Sequence, residues 1–384
     1  MKIVIYGLTI TSAWGNGHAT TYRSLIKALA RRGHSVHFIE KDVEWYRSNR
    51  DLPHPEFCTL QLYDDWQSDS SVMVRASADA DAIVIGSYFP DAIAATKAIL
   101  DAGLGPLLFY DIDTPITLAK LRSHGATEYL DASYIPYYAV YLSFTGGPAL
   151  RELEQNFESQ RAVPFYCSVD PDLYRAVPSL SRYCCDLSYL GTYAADRQPK
   201  LMQFLCGAAE LLPSRRFIVA GAQYPKEIEW GANITRVTHV YPREHCSFYS
   251  SSRFTLNLTR DAMVDAGYSP SVRLFEAAAC GAAIVSDAWS GLEEFLTPGV
   301  EVLLPSDEYE LVEIIQKTPE HERRRLGERA RDRIIAHHSS AERAFQFENI
   351  VADCYARRAQ AGIGRSASDS THRSGNSFAS SAYP

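Results

Sequence analysis

Short apolar runs alternate along this chain with longer segments whose apolar residues return at helical spacing. Residues 2–8, 35–40, 82–86, 106–110 and 138–144 are rich in Ile, Val, Leu, Phe and Tyr, which predicts strands buried on both faces. Between or after them, 19–32, 91–101 and 148–157 carry the helical period. The first of these places Leu25, Ile26 and Leu29 on one side and meets Gly33 just past its end. Alternation of this kind implies a parallel sheet with helices over both faces.

The alternation then starts again. Residues 163–180 contain Pro164, Pro171 and Pro178 and read as a connector. Beyond it come predicted strands at 186–190, 217–220, 254–258, 282–285 and 301–304, with helices at 197–212, at 244–251 and after Ser269. The fold class expected is α/β, with two Rossmann-like domains facing a central cleft. The boundaries are 1–165 for the first domain, 166–181 for the hinge and 182–360 for the second, which includes C-terminal helices at 320–336 and 339–358. Residues 361–384 are dominated by Ser, Gly and Ala and are expected to form a disordered tail. Ligands of open parallel sheets sit at the carboxyl ends of the strands, so the turns that follow strands carry the candidate chemistry.

The densest of these lies at 268–287. Ser269 is a natural N-cap, Pro270 stands where a missing N–H costs nothing, and Gly281 stops the helix. Ser269, Arg273, Glu276 and Cys280 then share one face. A helix N-terminus with Ser271 and Arg273 in its first turn suits a phosphate, and Glu276 further along suits sugar hydroxyls. Together they suit a nucleotide sugar. The plainer alternative is an Arg273–Glu276 ion pair beside a core helix.

Other turns add to this set. Gly191 follows a strand and Arg197 opens the next helix; Arg260 also follows a strand. Arg197, Arg260 and Arg273 are expected to converge on one cleft wall from separate loops, and His239 is a candidate for contact with the base or sugar. On the facing domain, Gly15, Asn16 and Gly17 form a glycine turn after the first strand, with His18 at the helix start. Asp111 and Asp113 follow a buried strand. Their spacing is that of a metal-binding carboxylate pair, but Asp113 also suits a helix cap, and both suit the acceptor side of a cleft. No metal enters the expected site.

Composition narrows the classes. A net charge of −8 argues against a nucleic-acid partner. The eight cysteines show no metal or redox spacing and suit a reducing cytoplasm. The first apolar run lacks the length and cleavage pattern of a signal peptide, and no segment reaches transmembrane length.

The runs 269–281, 110–115, 144–148 and 190–197 resemble the CgeB-like (spore-maturation protein) glycosyltransferases, and the resemblance extends from Lys2 to Arg358. It implies a GT-B fold, with acceptor in the N-lobe, a nucleotide-diphosphate sugar in the C-lobe, and no cofactor or metal. The acceptor, a glycan, a protein or a small molecule, is left open. Related retaining group-1 transferases carry a Glu-x7-Glu motif here; Glu276 matches its second Glu, at the ribose, whereas Tyr268 replaces the first. The expected chemistry is glycosyl transfer to a hydroxyl, with His18, Asp111 and Asp113 as candidate bases. Two other classes stand beside it. A non-catalytic sugar-nucleotide-binding protein is suggested by Tyr268. An NAD(P)-dependent oxidoreductase is suggested by Gly15, Gly17 and Glu40, though Thr20 stands where its fingerprint needs a third glycine.

Overall fold

The computed structural model describes residues 1–14 and 17–372, and side chains are considered up to residue 360. Seven strands build the first sheet: β1 (Lys2–Tyr6), β2 (Ser35–Lys41), β3 (Thr59–Tyr63), β4 (Ala82–Gly86), β5 (Leu107–Asp111), β6 (Val140–Ser143) and β7 (Ala162–Pro164). Their order is β3-β2-β1-β4-β5-β6-β7 and every pairing is parallel. The second sheet comprises β8 (Cys185–Leu190), β9 (Phe217–Ala220), β10 (Ile234–Val237), β11 (Ser252–Asn257), β12 (Ala283–Ser286) and β13 (Val302–Leu303). It runs β10-β9-β8-β11-β12-β13, again all parallel.

Both sheets reverse strand order once, between β1 and β4 and between β8 and β11. Each reversal opens a crevice at the carboxyl ends of the strands, and the two crevices face each other. The central strands β4 and β5 are buried throughout, as unbroken apolar runs require. The predicted strands are all present within a few residues of their expected ends, and the GT-B arrangement follows from the two sheets. Strands β3, β7 and β10 were not anticipated. They lie at sheet edges, where exposed positions dilute the apolar run.

Two local expectations need correction. The helix expected to begin at Ser269 spans Val272–Ala279, with Ser271 at its N-cap position. Ser269 instead bonds Thr145 of the other lobe, Oγ to Oγ1 at 2.9 Å. The C-terminal helices also divide between the lobes. Glu320–His338 packs on Val272–Ala279, but Ser340–His372 crosses back to the N-lobe. There Glu348 pairs with Arg32 and His34, Gln346 Nε2 donates to Pro164 O, and the Tyr355 hydroxyl donates to Asp81 O. This last helix runs into the segment expected as a tail; residues 373–384 lie outside the described ones. Among the described residues no helix is long and apolar enough to cross a membrane.

Tyr268 wedges the lobes together. Its backbone is left-handed (φ 50°), its carbonyl accepts from Gly146 N at 2.9 Å, and its ring lies between Gly147 and Gly291. A Cβ on Gly147 would stand 2.3 Å from the Tyr268 ring, and the backbone there has φ 57°, a region side chains resist. Gly147→Ala is therefore expected to cost about 3 kcal/mol from strain and overpacking together. A wild-type midpoint in chemical denaturation would show that the wedge is not tight.

Candidate functional site

The interlobe cleft holds two adjoining cavities that share Gly17 and Val272 on their common wall. The first, ≈ 310 Å³, lies between His18, Asp113 and Phe144 of the N-lobe and Arg197, Arg260 and Ser271 of the C-lobe. The second, ≈ 330 Å³, holds Gly191, His239, Arg273 and Glu276, with Trp14 and Trp45 opposite.

The C-lobe half is cationic where it matters. Arg273 is buried, and its Nη1 donates to Asn257 Oδ1 at 3.2 Å while its Nε donates to the Leu190 carbonyl. It also lies over the Tyr189 ring, 4.9 Å from the centroid. Arg197 Nη2 donates to Thr192 O at 2.7 Å, and its Nε is buried without a partner. Neither guanidinium has a carboxylate partner among the described residues. Burial first, and then the neighbouring Arg273 charge, push the Arg197 pKa down. One buried and one half-buried cation that feel each other's charge without a carboxylate between them are costly unless an anion joins them.

Around them the backbone leaves room. A Cβ on Gly191 would meet Arg273 Nη2 and the Tyr189 hydroxyl at 2.7 Å, and one on Gly221 (φ 140°) would collide with Gly191 O. The turns after β8 and β9 therefore touch, and Gly221 is obligatory, while a side chain on Gly191 would push the Arg273 and Tyr189 tips aside. Ser271 donates to Asn257 Oδ1 at 2.6 Å, and the N-terminus of helix Val272–Ala279 opens onto the first cavity. The arginine expected to complete the set is partly diverted, because Arg260 Nε pairs with Asp196 at 3.2 Å.

Glu276 does not pair with Arg273. Its Oε1 accepts from the Tyr174 hydroxyl at 2.8 Å, and its Oε2 lies 3.7 Å from His245 Nδ1. The carboxylate is thus held from behind with its face toward the second cavity. His239 sits at the rim of that cavity, its ring 4.6 Å from both Trp14 and Tyr241. Burial, then His245, lower its pKa.

On the N-lobe wall the two aspartates part company. Asp113 lines the cleft, where one oxygen accepts from the Tyr88 hydroxyl at 3.0 Å. Asp111 is fully buried and does not line the cleft. Its oxygens accept from Tyr141 at 2.6 Å and Thr117 at 2.9 Å. Burial, opposed by those bonds, raises its pKa to about 6. Asp111 is a structural strut, so it is withdrawn as a candidate base, and the pair does not present two carboxylates to one ion. His18 lines the same cavity with Nδ1 buried and unpartnered. Burial lowers its pKa against the opposing pull of Asp113, which keeps the imidazole neutral. Gly17 lines both cavities; Gly15 and Asn16 lie outside the described residues.

Residues 197–349 match the family model described as "Glycosyl transferase-like". No curated protein matches the chain. Among solved structures, the sucrose-phosphate synthase of Thermosynechococcus elongatus aligns over 93% of this chain and 99% of its own, at 15% identity and TM-score 0.65. HepE of Anabaena in complex with UDP-glucose aligns over 92% and 100%, at 12% identity and TM-score 0.65. An alpha-glucosyltransferase in complex with UDP-glucose and DNA containing an abasic site aligns over 92% and 99%, at 14% identity and TM-score 0.68. These likenesses establish the GT-B fold.

The oxidoreductase reading loses its acid. Glu40 is fully buried and accepts from Thr9, from the Ile10 and Thr11 backbone amides and from the Thr11 hydroxyl, so it clamps the loop after β1 and has no oxygen to offer a ribose. Several residues of the site escaped the sequence reading. Gly221 had the same strand-then-glycine signal as Gly191 and was readable. Tyr174 and His245 had none, because they reach Glu276 from the connector and from a separate helix. His338, at the end of its helix, is buried against Phe275 and Phe295, which pushes its pKa down to about 3.

Proposed function

We propose that the protein transfers a glycosyl group from a nucleoside diphosphate sugar to a hydroxyl-bearing acceptor. The observation that carries this reading is the pair Arg197 and Arg273, two cations without carboxylate partners set at the junction of the two cavities beside a helix N-terminus. A diphosphate lying there would occupy both guanidinium groups. The bond between the anomeric carbon and the leaving oxygen breaks as the acceptor oxygen attacks. Negative charge then grows on the diphosphate, against cations already in place. Basic side chains in that role make the proposal metal-independent and free of cofactor. Glu276 takes the ribose hydroxyls, Gly191 allows close approach of the phosphates, and His239 borders the base. Asp113 and His18 face the acceptor, with Gly17 between them and the donor. Because two of the neighbours named above, HepE and the alpha-glucosyltransferase, were solved with UDP-glucose, UDP-hexoses are the first donors to test. We also propose, from the motif runs, kinship with the CgeB-like enzymes and action in the cytoplasm.

Calorimetric titration of UDP into wild type and Glu276→Gln tests the donor site. The carboxylate acceptor is worth about 1.5–3 kcal/mol, so a loss of roughly ten- to hundredfold in affinity is expected. Unchanged affinity would remove Glu276 from the ribose.

Tyr268 favours one second reading. It stands where related enzymes place a carboxylate near the donor sugar, and its ring is spent between Gly147 and Gly291. A protein that binds donor without transferring sugar fits that substitution. Release of free UDP from UDP-sugars across an acceptor panel separates the two readings, since a pure binder releases none.

A further inference from the structure

Behind the donor cleft lies a third cavity of ≈ 660 Å³, larger than either half of the cleft itself. It is bounded by helix His18–Arg31 of the N-lobe, by the connector from Asp172 to Leu180, and by the segment Pro242–Ser247 of the C-lobe. Leu173 and Leu180 line it yet remain 53% and 39% exposed, so apolar surface there is left uncovered.

Its polar groups are unevenly satisfied. Asp172 on its wall is taken by Arg31 at 2.6 Å, and Arg23 is taken by Asp51 at 2.8 Å. Arg175 donates only to the Asp172 carbonyl, and Arg243 stacks on Tyr241 at 5.4 Å. The carboxylate beside Arg243, Glu244, is held by Arg182 at 2.8 Å and Tyr183 at 2.7 Å. Two guanidinium groups therefore border the cavity with no carboxylate hydrogen-bonded to them among the described residues, although Arg243 also feels the Glu244 charge. Ser24 on the same wall is 1% exposed, and its hydroxyl has no hydrogen-bond partner. An uncovered apolar wall and two exposed guanidinium groups that hydrogen-bond no carboxylate are complementary to one class of ligand.

We propose that this cavity binds a small organic anion with an apolar body, the anionic group at Arg175 and Arg243 and the body against Leu173 and Leu180. The occupant touches both lobes and the connector at once. Tyr174, on the cavity wall, carries the contact on to Glu276 in the donor cleft. The site is independent of the transferase reading, because none of its anion-binding groups lines the donor cleft.

Cys246 lies on the cavity wall and supplies the test. A hydrogen bond from Cys280, against burial, draws its pKa below the ordinary thiol value, and its Sγ lies 2.9 Å from the Leu173 carbonyl. The intact protein is alkylated with iodoacetate, a small anion, or with neutral iodoacetamide, and each cysteine is followed by peptide mass spectrometry. Cys58 and Cys184, both partly exposed, are internal references. The rate ratio of iodoacetate to iodoacetamide cancels any change in thiol pKa. At Cys246 it is expected to exceed the reference ratio about tenfold at low salt and to fall with added salt. In Arg175→Ala/Arg243→Ala it should drop to the reference value. Circular dichroism and a melting curve check that this variant folds; Arg243→Gln alone, at an exposed position, serves if it does not. A wild-type ratio equal to the references, a ratio unmoved by the substitutions, or no reaction with either reagent would each overturn the proposal.

Discussion

Arg197→Ala is expected to weaken UDP binding by about 2–3 kcal/mol, roughly a hundredfold in Kd, while leaving the ligand-free protein no less stable. The two halves of that expectation come from one feature. Arg197 spends a single hydrogen bond on Thr192 O, its Nε has no partner, and burial together with Arg273 disfavours its charge. An unpaired, partly buried cation is a cost to the empty protein and a gain only when an anion arrives. Removing it therefore abolishes most of the melting-temperature rise that UDP produces without lowering the melting temperature of the apo form. Arg273→Ala differs in kind. That guanidinium also donates to Leu190 O and to Asn257 Oδ1, which Ser271 shares, so its loss removes two tethers between the turns and destabilises the fold itself. Calorimetry and melting curves on both variants separate a binding cation from one that also holds the site together. Wild-type UDP affinity in Arg197→Ala would remove the diphosphate from this junction.

What the chain reveals on reading follows the same physics. Buried parallel strands such as β4 and β5 are unbroken apolar runs and were legible to within a residue or two; edge strands such as β3, with half-exposed positions, were not. The strand-end rule placed Gly191, Arg197, Arg273 and Glu276 on a common cleft, because topology alone carries turns after parallel strands to one edge. Side-chain direction was beyond it. Asp111 and Asp113 look equivalent in sequence, but Asp111 ends β5 and turns toward Tyr141 of the adjacent strand, whereas Asp113 has left the sheet. Partners that arrive from distant segments left no local trace. Tyr174 belongs to a stretch legible only as a proline-rich connector, yet its hydroxyl holds the Glu276 carboxylate. The return of helix Ser340–His372 to the N-lobe was hidden for the same reason, since its tether at Glu348 depends on Arg32 and His34 far away in the chain.

Replacing His18 is expected to act on turnover and not on donor binding. The imidazole lines the N-lobe wall of the first cavity, Nδ1 is buried and unpartnered, and burial lowers the ring's pKa. A neutral imidazole beside the reacting hydroxyl is a proton acceptor, and loss of a positioned base costs about 10²- to 10⁴-fold in rate. His18→Ala should therefore lower kcat by that factor with UDP affinity unchanged. The pH profile carries a second, independent sign. Since the folded pKa of His18 lies below its ordinary value, the base form persists as pH falls past 6.5, and the acid limb of kcat/KM appears below that point. Asp113 pulls the pKa upward, so Asp113→Asn should shift the limb to still lower pH while slowing the reaction, because the developing imidazolium loses its counter-charge. A limb that moves upward in Asp113→Asn, or His18→Ala turning over at the wild-type rate, would assign the proton to another group. Tyr268 gives this outcome its weight. With no carboxylate at that position, His18 and Asp113 are the titratable groups that line the first cavity from the N-lobe among the described residues, and the proposed transferase would draw its proton chemistry from them.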